Sequence, residues 1–243
     1  IIPCMSLQDG NMVKTVQFKN PRYLGDPLNA ISIYNTKGVD EMCVLDIAAT
    51  REDVKPDFAL LEQIAAEAFF PLSYGGGISC LCDVETIISI GFDKVILNTE
   101  ALRNSQLIAD AADSIGSQSV VVSIDAKRDF RSISKCWIVD GTQKTEQYGA
   151  GEILLNSIDN DGMMNGYDTK LVRDITAVTS IPVIACGGAG SLDDMRTVLQ
   201  ECGAHAAAAG SLFSYYGKQK AVLITVPEEV DYEKAGITTR RGC

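Results

Sequence analysis

Two glycine-rich segments carry the clearest chemistry in this chain. Gly75-Gly76-Gly77-Ile78-Ser79 falls on Gly187-Gly188-Ala189-Gly190-Ser191 when the sequence is slid along itself by 112 residues (187 − 75 = 112). At the same offset Asn98-Thr99 meets Gly210-Ser211, so each glycine turn has a small polar turn 23 residues on (98 − 75 = 23; 210 − 187 = 23). Glycine has no Cβ, so backbone N–H groups can close on an anion, and a helix starting there adds the positive end of its dipole. The chemistry implied is phosphate binding, built twice. The plainer alternative, glycines that only turn the chain, does not account for two copies each followed by its small polar turn.

Acid–base chemistry needs a carboxylate placed beside such a grip. Asp125 ends an apolar run, and an offset of 119 lays Ile2-Pro3-Cys4-Met5-Ser6 on Val121-Val122-Ser123-Ile124-Asp125 (121 − 2 = 119). Ser6 therefore stands where the other half has Asp125. A serine hydroxyl is no general base near neutral pH without an activating neighbour, and the single histidine, His205, opens a strand at the far end. Asp46 and Asp161-Gly162 are further candidates for ligand hydroxyls or for ordering the loops. Asp9, three residues beyond Ser6, is expected to turn the loop.

Parallel strands buried on both faces would position these groups. Short apolar runs near 1–6, 42–47, 71–74, 94–98, 119–124, 152–157, 181–186 and 205–210 alternate with amphipathic stretches near 26–37, 57–68, 82–90, 104–114, 168–178 and 192–202. Eight βα units in 243 residues fit a single α/β domain of the (β/α)8 TIM-barrel class, whose chemistry sits at the C-terminal rim of the strands. A further match, offset by 111, lays Gly38–Val44 on Gly149–Leu155. The barrel is thus expected as two repeated half-barrels, about 1–118 and 119–225, followed by a tail over 226–243. One unit is irregular. Residues 129–140 read as a hairpin anchored by Trp137, which leaves only Thr142–Tyr148 for a helix; a segment missing from the sequence there is the favoured explanation. The chain also opens directly on strand residues Ile1-Ile2-Pro3-Cys4, so native residues are expected to be missing before it.

Composition excludes several classes. A net charge of −11 and pI near 4.6 argue against nucleic acid or an anionic membrane as partner. No apolar run approaches a spanning helix, and no leader segment opens the chain. Of the eight cysteines, Cys4, Cys43, Cys186 and Cys202 sit inside apolar patterns and read as buried small hydrophobes of a reducing cytoplasm. With one histidine and only Cys80-Leu81-Cys82 as a close pair, no metal site is expected, and no cofactor is implied.

Taken together, Ile1–Cys4, Asp9-Gly10, Val13-Lys14, Gly25-Asp26-Pro27, Leu45-Asp46-Ile47, Gly75–Ile78, Asp93–Val95, Ile124–Arg128, Gly149–Leu155, Ser157–Asp159 with Asp161-Gly162, Gly166–Asp168 and Gly187–Gly190 resemble the cyclase subunit of imidazole glycerol phosphate synthase. The resemblance covers nearly the whole chain. It implies a barrel that docks a glutaminase on its N-terminal face, passes ammonia through its centre and uses it at the rim. It also implies two rim aspartates as acid and base, of which Asp125 is kept and the other is Ser6. Lys14 resembles a mobile-loop lysine that closes over substrate. Gly76, Gly77, Asn98, Thr99, Gly187, Gly188, Gly210 and Ser211 fall on the phosphate turns. Glu41, Lys94 and Glu152 resemble a charged gate, although strand-opening charges can simply be solvated, and Asp93 would face the glutaminase.

The stretches Lys14–Tyr23 and Asp46–Thr50 look like a divergent branch linked to bacterial surface-sugar pathways, where a third protein, a sugar amidotransferase, receives the ammonia. Three functions follow. One is an ammonia-channelling subunit with an incomplete acid pair, and the second is a complete synthase of histidine biosynthesis. The third is a non-catalytic scaffold for a phosphorylated ligand.

Overall fold

The computed structural model describes residues 1–127, 142–143, 145–217 and 219–237. The hairpin expected over 129–140, with Trp137, and the ending Thr238–Cys243 lie outside the described residues.

Eight parallel strands close into a barrel: β1 (Ile2–Gln8), β4 (Met42–Asp46), β5 (Leu72–Gly75), β6 (Lys94–Leu97), β7 (Val120–Ala126), β8 (Glu152–Ser157), β9 (Val183–Cys186) and β10 (Ala206–Ala209), the last pairing with β1. The helices α1 (Pro27–Lys37), α3 (Phe58–Glu67), α4 (Leu81–Ile90), α6 (Gln106–Ile115), α7 (Thr169–Thr176) and α8 (Leu192–Glu201) lie between them in sequence. This is the (β/α)8 TIM barrel expected. Local chemistry sets the helix ends. In α1, Asp26 accepts from Asn29 N at 2.9 Å, Pro27 takes the first helical position, and Gly38 closes the helix at φ 65°.

Two apolar layers result from alternation along the strands. Outward-facing residues such as Met5, Val44, Tyr74 and Val122 pack under the helices. Inward-facing Ile2, Cys4, Cys43, Ile96, Val121, Leu154, Ile184 and Ala208 fill the barrel itself. The cysteines among them are free thiols, as are Cys80, Cys82, Cys186 and Cys202.

The repeat is real, but its register differs from the gapless one read from the sequence. Gly75 ends β5 and Cys186 ends β9, so Gly76-Gly77 corresponds to Gly187-Gly188 (187 − 76 = 111). The caps agree with this. Asp83 Oδ2 accepts from Ser79 N and Cys80 N at 2.9 and 3.2 Å, and Asp194 Oδ2 accepts from Gly190 N and Ser191 N, both at 2.9 Å (194 − 83 = 111). The offset becomes 112 only after α4 and α8, because 202–205 is one residue longer than 91–93, so that Lys94 meets Ala206 (206 − 94 = 112). A run of glycines matches itself under a one-residue slip, which is why the sequence could not place the insertion.

Several elements escaped the sequence reading. The strands β2 (Asn11–Val16) and β3 (Lys19–Gly25) form a hairpin, and Asp9-Gly10 at φ 50° and 71° turns β1 back into β2, which pairs with it. Short helices α2 (Ala49–Glu52), α5 (Thr99–Arg103) and α9 (Ser211–Ser214) follow β4, β6 and β10 at the rim, and the small strands β11 (Tyr215–Tyr216) and β12 (Ala221–Val222) come after α9. The stretch read as a tail from 226 contains α10 (Glu229–Lys234), whose Tyr232 is buried along with Ile237. Where a helix was thought missing, residues 142–143 and 145–147 are helical, and Glu146 accepts from Thr179 Oγ1 at 2.8 Å and from the Ser180 hydroxyl.

Candidate functional site

The strand ends at the C-terminal rim open into one cavity of about 640 Å³. The candidate site residues at the rim line it: Ser6, Lys14, Asp46, Gly76, Gly77, Asn98, Thr99, Asp125, Asp161, Gly162, Gly187, Gly188, Gly210 and Ser211; of the stretch 157–162, expected at the rim as a whole, only Asp161 and Gly162 do so. The two glycine turns and the floor groups between them therefore share a single space of a size usual for a small-molecule site.

At the floor, Asp125 lies one residue before the end of β7, directly opposite Asn156 on β8. Its carboxylate accepts from Asn98 Nδ2 at 2.9 Å and also from the Asn156 amide. The group faces the cavity yet lies deep within its walls, and this desolvation raises its pKa, against the two amide bonds that lower it and with a smaller push from the charge of Asp161. Ser6 sits on β1 at the matching level, buried, and pairs with Leu45 and Val13 in its sheet. The other cavity carboxylates near it are engaged in structure. Asp46 Oδ1 accepts from Ala48 N and Ala49 N at 2.9 and 3.0 Å, while burial raises its pKa. Asp161 Oδ2 accepts from Thr15 Oγ1 at 3.1 Å. The floor thus offers one carboxylate positioned for proton transfer and a hydroxyl in the symmetric place.

The two glycine grips differ in what surrounds them. In the second half, Gly188 takes φ 117° and a Cβ there would fall 2.2 Å from Gly166 O, so only glycine fits. Lys14 reaches in from the β2–β3 hairpin, buried, and its Nζ lies where a Gly210 Cβ would come within 1.9 Å. Ser211 Oγ is buried with no hydrogen-bond partner among the described residues, as is Asn156 Oδ1. A buried ammonium next to an unpaired hydroxyl and open backbone N–H groups is a setting that an oxyanion completes. In the first half, Thr99 Oγ1 already bonds Asn98 Oδ1 at 3.4 Å and Gly77 N bonds Thr50 Oγ1 at 3.3 Å. There the cations are Arg51 and Arg103, both cavity-lining and mostly exposed. Neither arginine was singled out in the sequence, nor was Asn156. The arginines look like ordinary surface charges of helices, and Asn156 is hidden in the run Ile153-Leu154-Leu155. Its signal was its position, opposite Asp125 on the neighbouring strand.

At the other mouth of the barrel, Lys94 Nζ lies 3.1 Å from Glu41 Oε1 and 2.9 Å from Glu152 Oε2. Desolvation there lowers its pKa, but the two carboxylates prevail and the net shift is upward. Glu41 and Glu152 are repeat partners (152 − 41 = 111), so one lysine closes a layer from two symmetric acids. Asp93 is exposed beside it and accepts from Leu72 N at 2.9 Å. His205 is also on this side, its Nδ1 accepting from Val183 N at 3.3 Å, away from the cavity. Among the described residues no helix is long and apolar enough to cross a membrane, and no cluster of side chains could hold a metal ion.

The sequence that forms this barrel has relatives among known proteins. Residues 1–220 match the family model described as "Histidine biosynthesis protein". The chain belongs to this histidine biosynthesis family. Among its relatives, a Pseudomonas aeruginosa protein named "Putative imidazole glycerol phosphate synthase subunit hisF2" is 46% identical over 239 residues, covering 94% of this chain and 95% of the relative. A Leptospira interrogans protein, "Putative imidazole glycerol phosphate synthase subunit HisF", is 45% identical over 245 residues, with 96% of each covered. "Imidazole glycerol phosphate synthase subunit HisF" of Streptococcus sanguinis is 38% identical over 226 residues, covering 88% of this chain and 90% of that one. Within the family this is a HisF-like barrel.

Proposed function

We propose that this HisF-like chain is the barrel subunit of a cytoplasmic glutamine-dependent amidotransferase that conducts ammonia without closing an imidazole ring. A glutaminase docks on the face bearing Glu41, Lys94, Glu152 and Asp93, and the charged layer gates entry to the barrel. Ammonia crosses the inner layer of Ile2, Cys4, Cys43, Ile96, Val121, Leu154, Ile184 and Ala208, whose neutral side chains suit NH3 and disfavour the charged ammonium ion. A phosphorylated ligand lies across the rim cavity between the glycine grips, under Lys14. The ammonia is used by a third protein, a sugar amidotransferase.

The observation that carries this reading is Ser6. Ring closure by two acids needs a second carboxylate on the floor, and the matching position holds a hydroxyl while Asp46 and Asp161 are tied to loop groups. The conduit is tested in the complex of this chain, its glutaminase and the acceptor enzyme. Leu154→Trp fills the barrel centre and should abolish glutamine-supported product while leaving product made from added ammonium salt. Unchanged glutamine-supported amidation would remove the conduit.

A second reading, a complete synthase of histidine biosynthesis, follows the family's description and the relatives named as synthase subunits, and is favoured by one feature. Asp125 is held between two amides with a raised pKa, the state a single group would need to act in turn as acid and base.

A further inference from the structure

The two ends of the rim cavity share one scaffold and differ in charge. In the first half the Gly76-Gly77 turn at the end of β5 is flanked by two one-turn helices, α2 on the β4 side and α5 on the β6 side. The α2 turn is seated on the glycines: Gly77 N donates to Thr50 Oγ1, and a Cβ on Gly77 would meet Ala49 Cβ at 3.1 Å. Each flanking helix brings a guanidinium to the cavity wall, Arg51 from α2 and Arg103 from α5. Each is held by a single surface carboxylate, Arg51 by Glu52 at 3.2 Å and Arg103 by Glu100 at 3.1 Å. Exposed pairs of this kind are weak and leave part of the donor fork free, so an anion can displace or share them.

The symmetric positions of the second half carry no cation. Arg51 corresponds to Gly162 (162 − 51 = 111) and Arg103 to Tyr215 (215 − 103 = 112). There the flanking loop bears Asp159 and Asp161, the buried Lys14 is the cation lining this end of the cavity among the described residues, and the Arg22 guanidinium lies 5.7 Å over the Tyr215 ring, outside that lining. A single ammonium beside a glycine turn suits one phosphoryl group. The two forks come from α2 and α5, which follow β4 and β6, strands two spacings or about 10 Å apart on either side of β5, so they reach the glycine turn from opposite flanks. Arginine forks bind phosphate oxygens in pairs, and two adjoining phosphoryl groups offer each fork its own pair of oxygens and match the doubled positive charge.

We propose that Arg51 and Arg103 make the first-half end of the cavity a diphosphate site, so that the ligand carries two adjoining phosphoryl groups at this end. This rests on the reading of the rim cavity as a phosphorylated-ligand site and specifies its charge.

Calorimetric titration of the full chain with sodium pyrophosphate and with sodium orthophosphate, at matched ionic strength, tests it. Pyrophosphate should bind at least about tenfold more tightly, the effect expected of added charge-assisted hydrogen bonds. The double variant Arg51→Gln with Arg103→Gln should lose that preference, and its melting curve should stay unchanged because both side chains are exposed. Equal affinity for the two anions in the wild-type chain, or a preference that survives in the double variant, overturns the diphosphate assignment. Orthophosphate binding that is weakened by Ser211→Ala keeps the underlying phosphate reading standing in either case. If neither anion binds anywhere, both readings fall together.

Discussion

The first and second glycine grips are the same piece of architecture put to unequal use. Both have a strand ending in a turn that only glycine can make, with a Cβ on Gly76 meeting Asp46 O at 2.4 Å and one on Gly188 meeting Gly166 O at 2.2 Å. Both lead into a ten-residue helix capped through an aspartate three residues in, Asp83 or Asp194. The second grip adds a buried lysine and an unpaired buried hydroxyl, whereas the first adds exposed arginines and has its polar side chains already bonded. The same inequality recurs on the floor, where β7 presents Asp125 near its end and its partner β1 offers Ser6. The two halves share the glycine-shaped backbone turns and differ in the side chains around them. The parts under steric constraint stayed alike, and those free to vary set the chemistry.

The strongest way to break this comparison is to strain one grip. Gly188→Ala forces a Cβ into Gly166 O at a φ that suits glycine, and should cost about 3 kcal/mol in urea denaturation. Gly77→Ala, at the matching position, would meet Val54 O at 2.6 Å and should cost about as much, and a much milder effect at either site would mean that the turns are not equivalent. Next in size, Gly210→Ala keeps a permitted φ of −109° but pushes the Lys14 ammonium aside. It should weaken orthophosphate binding about tenfold with little change in stability, because the displaced atom ends a flexible side chain.

Asp125→Asn sharpens the floor comparison through pH. The folded-state pKa of Asp125 is raised, so its contribution to stability is present at low pH and lost as pH rises through that value. The asparagine variant should therefore melt higher than the wild-type chain at pH 7, and the gap should close as pH falls to about 4. Smallest is Glu152→Gln at the other mouth. Lys94 keeps Glu41, so the stability loss should stay within about 1 kcal/mol, and the matching Glu41→Gln should behave alike.

Strand periodicity, glycine turns and caps were legible because each is fixed by local chemistry, and the eight strands and six principal helices fall within a few residues of where the pattern puts them. The β2–β3 hairpin was not legible. Its turn is Gln17-Phe18 at φ 52° and 61°, left-handed without glycine or asparagine, and it is held from outside by Gln17 N and Nε2 donating to Asp161 O and Asp159 O, both at 2.9 Å. Tertiary contacts overrode local preference there. Asn156 was invisible for a related reason, since its importance comes from the strand beside it. The helix at Glu229–Lys234 lacked the long apolar periodicity that marks the barrel helices, with Tyr232 its one buried side chain. Ser6 opposite Asp125, by contrast, was readable, because the repeat supplied its own reference.

The most direct test of the central claim is a cyclisation assay with the bisphosphate imine precursor of the synthase reaction and saturating ammonium salt, run on the wild-type chain and on Ser6→Asp. With one floor carboxylate, the wild-type chain should form no imidazole glycerol phosphate, and any activity should arise only when Asp is restored opposite Asp125. Turnover by the wild-type chain at a rate that Ser6→Asp changes only modestly would contradict the account and identify a complete synthase.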